Sequence, residues 1–203
     1  MSDNDHDVNI IETATNAEAL RVLEFWFGSS AAGEETLPER KIWWRPDAEF
    51  DAACRKGFAD LSDRALAGEF DHWAETASGA LALVLLLDQL PRNIHRGRPE
   101  AYAGDDKART VAGGAIARGF DAVLAPVQRL FLYLPLEHSE TLADQERAVR
   151  LIAVLGNDTW LDFARRHRDI IARFGRFPHR NAALGRATTA EETVFLQEPG
   201  SSF

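Results

Sequence analysis

The residues with the clearest chemical potential lie in the stretch FLYLPLEHSE, where two acids, an imidazole and a hydroxyl directly follow an apolar run: Glu137, His138, Ser139 and Glu140. Glu137 comes seven residues after Leu130, so it continues the apolar stripe of a helix and is expected on its buried side. A carboxyl beside an imidazole can supply general acid and general base chemistry. The same side chains could instead satisfy backbone groups that Pro135 leaves without partners.

A second polar group interrupts the apolar segment LALVLLLDQLPRNIHRG. Asp88 follows Val84 at the i, i+4 spacing and is therefore expected inside the protein, where a lone carboxylate is costly. Arg92 lies four residues later on the same helix face and could pair with it. Asp88 and Arg92 could form a buried ion pair that fixes helix packing, or they could be part of a functional site.

The third polar cluster is the segment RFGRFPHRN, in which Gly175 and Pro178 predict a non-helical turn. Arg176, His179 and Arg180 lie in this turn between aromatic residues. Guanidinium groups held in a fixed loop suit the recognition of a carboxylate or phosphate. They could equally neutralise the internal acids Asp88 and Glu137, and the sequence leaves both alternatives open.

The elements that carry these clusters all read as helices. Apolar residues recur at helical spacings along the chain, and no stretch shows the sustained alternation of β-branched residues that is typical of strands. The pattern predicts an all-α, single-domain array of about eight or nine helices over residues 15–197. It also predicts an acidic flexible arm over 1–14 and a short tail over 198–203. Pro91 is expected to bend or end its helix.

Composition excludes several classes of protein. The chain has 203 residues, is 45% hydrophobic and carries a formal charge of -9, which argues against general nucleic-acid binding. Cys54 is the only cysteine, so neither an internal disulfide nor a zinc site made of thiolates is expected. The longest apolar run, 80–87, is too short to span a bilayer. With no export signal visible, these features predict a cytoplasmic protein with no membrane partner.

Several longer motifs together resemble one bacterial family, catalogued as domain of unknown function 924. They are VLEFWFG, WW followed by FD, LALVLLLDQLPRNIHRG, FLYLPLEHSE with DQERAV, and HRDIIARFGRFPHRNAALGR, and they span about residues 20 to 197 in order. The resemblance implies an all-α fold akin to the tetratricopeptide-like helical arrays. It implies no established reaction.

We expect the three polar clusters to converge on one polar pocket that binds a small anionic molecule. In that pocket His138 or His179 would be the general base, and Glu137 or Asp88 an orienting carboxylate or acid, as in a hydrolase-type reaction. The residues expected to bind the ligand are Arg92, Arg176, Arg180, Asn181, Tyr133 and Trp44. Ser139 is disfavoured as a nucleophile because no G-x-S-x-G elbow surrounds it.

No metal site or cofactor is expected, because no diagnostic ligand spacing or glycine-rich phosphate loop is present. The alternative function is a helical scaffold that binds a peptide or a partner protein, with Trp43, Trp44 and Trp73 lining a groove. An open face formed by Trp43 and Trp44 would favour the scaffold. A closed pocket shared by Glu137, His138 and Arg176 would favour the enzyme.

Overall fold

The structure is a computed structural model that describes residues 17–28 and 37–202. In these residues the secondary structure is helical and contains no β-strand, which confirms the expected all-α class. The acidic arm expected at residues 1–14 lies outside the described part of the chain. The single-domain boundaries and the tetratricopeptide-like arrangement stay predictions.

The α-helices of the described residues are α1 (Ala17–Phe27), α2 (Ala48–Ala67), α3 (Ala77–Val84), α4 (Leu90–Ile94), α5 (Asp105–Ala117), α6 (Pro126–Glu137), α7 (Leu142–Ala153), α8 (Asp158–Phe174) and α9 (Ala190–Phe195). A π-helical turn, Leu85–Gln89, joins α3 to α4 without a break. Short 3-10 turns occupy Lys41–Trp43, Asp71–Glu75, Pro99–Tyr102, Phe120–Val123 and Pro178–Arg180.

The helix formed by α3 and the π turn is the centre of the protein. No residue from 80 to 87 is more than 1% exposed, so the helix that reads as apolar on every side is indeed surrounded by protein. It packs against α1, α5 and α6. Because burying one leucine side chain contributes about 1.5–3 kcal/mol, this helix supplies a large share of the hydrophobic stabilisation.

Aromatic side chains pack around Phe131 on α6. Trp26 and Phe27 of α1 each meet the Phe131 ring edge-on at 5.5 Å between centroids, and Trp43 does so at 4.9 Å. Trp44 stacks flat on the same ring at 5.8 Å. This cluster fixes the position of α6, whose C-terminal end carries Glu137 and His138.

A smaller apolar cluster anchors the C-terminal part of the chain. It comprises Ile170 and Ile171 of α8, Phe177 of the following turn, and Phe195 of α9. Gly175 ends α8 with φ at 69°, a left-handed conformation that favours glycine. The chain therefore reverses at Gly175 and brings residues 176–181 back against the body of the protein.

No helix within residues 17–28 and 37–202 is both long and apolar enough to cross a membrane.

Candidate functional site

The site is built on the π turn, and Pro91 explains why the turn forms there. Proline has no backbone N–H, so residue 91 cannot donate the usual bond to the carbonyl of Leu87. The chain widens by one residue instead, and the N–H of Leu90 donates to the carbonyl of Leu85. The helix is therefore continued through Pro91 to Ile94 rather than ended there.

Gly104 packs directly on the carbonyl group of Leu87, to which residue 91 would donate in a regular α-helix. A Cβ atom at position 104 would lie 2.3 Å from the carbonyl oxygen of Leu87, well inside contact distance. Only glycine allows the backbone to approach this closely. The contact brings the flanking residues Tyr102 and Asp105 against the same end of the central helix.

Asp88 lies on the π turn and is fully buried. Its Oδ1 atom pairs with Nη1 of Arg92 at 3.0 Å and with Nδ1 of His138 at 2.8 Å, while the amide of Gln89 donates to Oδ2. Burial by itself would raise the pKa of this carboxyl, but Arg92 and His138 outweigh it and hold the pKa below its ordinary value. Asp88 is therefore an ionised carboxylate inside the protein.

One ring nitrogen of His138, Nδ1, is paired with Asp88. Because Asp88 is ionised and can only accept, Nδ1 must carry the proton and donate it. Burial lowers the pKa of His138 despite the opposing effect of Asp88, so the ring is neutral at pH 7 and Nε2 holds a lone pair. The side chain is 15% exposed, and no described residue hydrogen-bonds Nε2.

Two arginines share the carboxylate of Asp105. Arg92 donates to both of its oxygens, at 3.0 and 3.1 Å, and Nη1 of Arg180 donates to Oδ2 at 3.2 Å. Arg92 thus links Asp88 to Asp105, and its guanidinium is committed to internal anions. The three side chains connect the π turn to the C-terminal turn.

Arg180 is the less satisfied of these two guanidinium groups. It lies between the rings of Tyr102 and Phe177, 4.8 and 4.5 Å from their centroids, and its side chain is only 7% exposed. Its Nε atom is buried and has no hydrogen-bond partner among the described residues. Burial and the charge of Arg92 lower the pKa of Arg180 to about 10, so it remains a cation at pH 7.

Glu137 lies next to this network, and no arginine or lysine of residues 17–28 and 37–202 pairs with it. It is 4% exposed, and in the described residues its ion-pair contact is to His167 of α8, with Oε1 3.1 Å from Nδ1. Burial raises the pKa of Glu137 to about 8, and the charge of Asp88 adds to the effect. Burial lowers the pKa of His167 to about 3. Asp88 and Glu137 are therefore two neighbouring carboxyls whose pKa values are shifted in opposite directions.

His179, the other imidazole considered as a base, lies in the same region. Its ring centroid is 5.5 Å from that of Phe177, and the ring is close enough to Arg180 and His138 for their charges to influence it. Burial, followed by Arg180, lowers the pKa of His179 to about 4. It is neutral at pH 7, like His138, but Asp88 does not orient it.

The sequence clusters converge only in part. The structure brings together Asp88, Arg92, Glu137, His138, His179 and Arg180. Arg176 instead pairs with Glu192 of α9 at 2.6 Å, and Asn181 donates to the same carboxylate at 3.2 Å. The hydroxyl of Tyr133 donates to Asp121, and Trp44 lies 48% exposed on Phe131.

Ser139 is occupied by structural contacts. Its hydroxyl donates to Asp144 at 2.8 Å and accepts from Arg109 and from the backbone N–H of Thr141. The side chain is 5% exposed. These contacts tie the end of α6 to the start of α7, and they agree with the weak case for a serine nucleophile.

Three residues of the site are not among those selected from the sequence: Asp105, Tyr102 and His167. His167 gave a readable signal, because it lies on the buried stripe of α8 between Ala164 and Ile171. Asp105 and Tyr102 gave no signal in the sequence, because their place in the site depends on the close packing of Gly104 against Leu87. Among the described residues, no group of three or more His, Cys, Asp or Glu side chains is placed to hold a metal ion.

Comparisons with known proteins agree with the family resemblance. The sequence pattern of a family described as bacterial protein of unknown function (DUF924) matches residues 22–200. A solved structure of a protein of unknown function, ATU0120 from Agrobacterium tumefaciens, is 42% identical, with a TM-score of 0.81. The match covers 89% of this chain and 97% of that one. The comparison with curated proteins finds no match. The chain belongs to the DUF924 family.

Proposed function

We propose that this protein binds a small anionic molecule at Arg180 and acts on it with His138 as general base, in a hydrolase-type reaction. The observation that carries the proposal is the state of Arg180, a buried cation with an unpartnered Nε and one hydrogen bond, to Asp105, among the described residues. Buried charged groups are normally paired and fully hydrogen-bonded. A carboxylate or phosphate oxygen is the group that would complete its coordination.

The pair formed by His138 and Asp88 supports acid–base chemistry at the same place. Asp88 fixes the tautomer of His138, so that Nε2 can accept a proton from a water molecule as its oxygen attacks an ester or phosphoryl group. The imidazolium formed in that step would be stabilised by the adjacent Asp88 carboxylate. His138 would then return the proton to the leaving group.

The remaining groups have supporting roles in this proposal. Arg92 pairs with both internal carboxylates, Asp88 and Asp105, so its guanidinium is committed to the protein and the ligand is left to Arg180. The rings of Tyr102 and Phe177 both lie against the guanidinium of Arg180 and limit its movement. A cation that is already oriented loses little conformational entropy when a ligand binds.

Paired arginine variants provide the test. We expect inorganic phosphate, acetate or succinate to raise the melting temperature of the wild-type protein and of Arg176→Ala, and to have no effect on Arg180→Ala. Arg176 is a matched control, because it is four residues away but pairs with Glu192. Equal ligand responses in Arg180→Ala and the wild type would contradict the proposed binding site.

The catalytic part is tested separately. We expect His138→Gln to keep the thermal response to anions but to lose hydrolysis of anionic esters, measured with p-nitrophenyl phosphate and mono-p-nitrophenyl succinate. Removing a general base typically costs about 10²–10⁴-fold in rate. Turnover that persists unchanged in His138→Gln would remove His138 from the mechanism and leave a binding protein.

The scaffold function keeps one observation in its favour. Trp44 is 48% exposed and lies flat on Phe131, which is the kind of surface that binds an apolar side chain of a peptide. In that case Trp44→Ala would weaken the binding of a partner peptide, while Arg180→Ala would leave it unchanged. The enzyme proposal requires the reverse: Arg180→Ala should lose the binding of small anions, and Trp44→Ala should keep it.

A further inference from the structure

Glu137 immediately precedes the proposed base His138 in the chain, and it is a carboxyl that the mechanism above does not use. Glu137 is the last residue of α6. Asp88, the other carboxyl of the cluster, has a guanidinium at 3.0 Å. Within the described residues no arginine or lysine pairs with Glu137, although it is equally buried.

The hydrogen bonds of His167 define the state of its pair with Glu137. Nδ1 of His167 lies 2.9 Å from the carbonyl oxygen of Phe163 and 3.1 Å from Oε1 of Glu137. A carbonyl oxygen can only accept, so Nδ1 carries the proton and donates it. The Nδ1 proton is thus directed to Phe163, and the 3.1 Å contact of Glu137 with a ring that can be neutral does not require an ion pair.

The surrounding charges decide between a neutral pair and an ion pair. The charged or titratable side chains that face the cluster come from the π turn with α4, from α6, from α8 and from the C-terminal turn: Asp88, Arg92, His138, His167, His179 and Arg180. From α7 the contact is the uncharged side chain of Gln145, which donates to the carbonyl of Glu137. An ionised Glu137 would add a second buried anion beside Asp88, and a charged His167 would add a cation beside His138. Both changes are unfavourable in a buried site.

We propose that Glu137 and His167 form a neutral pair, and that the uncharged Glu137 carboxyl leaves His138 facing a single anion, so that His138 stays unprotonated. Glu137 is then a positioning residue that acts through the electrostatics of its neighbour. The role assigned to Glu137 rests on the proposed function of His138 as a base. The protonation states themselves do not, because they can be measured without any ligand.

The consequence for His138 follows from the number of anions near it. One buried carboxylate already favours the imidazolium, and a second one would raise the pKa of His138 further. A base that is protonated at working pH cannot accept a proton from water. The neutral Glu137 thus allows a buried carboxylate to orient His138 while the ring remains available as a base.

Nuclear magnetic resonance of the full chain labelled with ¹³C and ¹⁵N tests the inference directly. We expect the Glu137 carboxyl carbon to titrate near pH 8 and the ring nitrogens of His167 to show the neutral form at pH 7. The wild-type protein is sufficient for this measurement. Titration of Glu137 in the ordinary range of a glutamate, or a doubly protonated His167 at pH 7, would overturn the proposal.

Two variants test the effect on His138. Glu137→Gln replaces a neutral acid with a neutral amide, so the titration midpoint of His138 should not change. Asp88→Asn is the matched control that removes a real charge, and it should lower that midpoint by about one unit or more. If Glu137→Gln lowers the His138 midpoint as Asp88→Asn does, Glu137 is ionised in the wild-type protein and the inference is wrong.

Discussion

The substitution Glu137→Gln makes the stability of this protein less dependent on pH, with a sign and size that follow from the site. The pKa of Glu137 is raised from 4.5 to about 8 in the folded chain. A group with a raised folded pKa stabilises the protein fully below its unfolded pKa, and this contribution is lost as pH rises through the folded value. The wild-type protein therefore loses stability from this residue between about pH 4.5 and pH 8.

The size of the loss follows from the width of that window. Each pH unit between the two pKa values costs about 1.4 kcal/mol. From pH 5 to pH 8 the loss amounts to about 3–4 kcal/mol once the partial protonation at the two ends is included. Glutamine does not titrate, so the free energy of unfolding of Glu137→Gln minus that of the wild type should rise by this amount.

Urea denaturation followed by tryptophan fluorescence at pH 5, 6, 7 and 8 measures this difference. Glu140→Gln is the matched control, because Glu140 is three residues away and ionised, with its pKa lowered by Arg186 and by the backbone N–H of Phe177 against the effect of burial. Its difference from the wild type should be constant across the same range. A constant difference for Glu137→Gln as well would refute a protonated Glu137.

Three further substitutions test the packing around the site by urea denaturation. Asp88→Asn leaves Arg92 and His138 without their shared anion and should cost about 3–5 kcal/mol; a loss below 1 kcal/mol would contradict the buried ion pair. Gly104→Ala places a Cβ atom 2.3 Å from the carbonyl of Leu87, so it should cost about 1–3 kcal/mol and shift the NMR signals of His138; a neutral effect would mean that the two segments are not in close contact. Tyr133→Phe removes the hydrogen bond to Asp121 and should cost about 1 kcal/mol without changing anion binding. If anions no longer raise the melting temperature of this variant, Tyr133 is part of the ligand site.

The sequence predicts the helical class and the principal pair of the site because both depend on local spacing. The apolar run 80–87 predicts a buried helix, and it is buried. The four-residue separation of Asp88 and Arg92 predicts their contact, which the π turn preserves at 3.0 Å. His138 meets Asp88 because each continues an apolar stripe toward the same interior.

The parts that the sequence does not predict depend on packing between distant segments. Arg176 and Arg180 lie in one turn and carry the same charge, yet Arg176 pairs with Glu192 and Arg180 with Asp105. The local sequence does not distinguish the two arginines, because their partners lie on distant elements, Glu192 on α9 and Asp105 on α5. Asp105 is the first residue of α5, after the N-cap residue Gly104, and its carboxylate binds the two arginines.

The π turn makes the site depend on chain length at one point. A π turn is equivalent to an α-helix with one inserted residue, and each residue of an α-helix turns the chain by about 100°. Deletion of one residue between Leu85 and Leu87 would leave the segment apolar but would remove the residue that the wider turn accommodates. Asp88 lies within that turn, so its direction toward His138 depends on the turn being present. The length of this segment is therefore under a constraint separate from its hydrophobicity, and a protein shortened there would keep a hydrophobic core but lose the oriented imidazole.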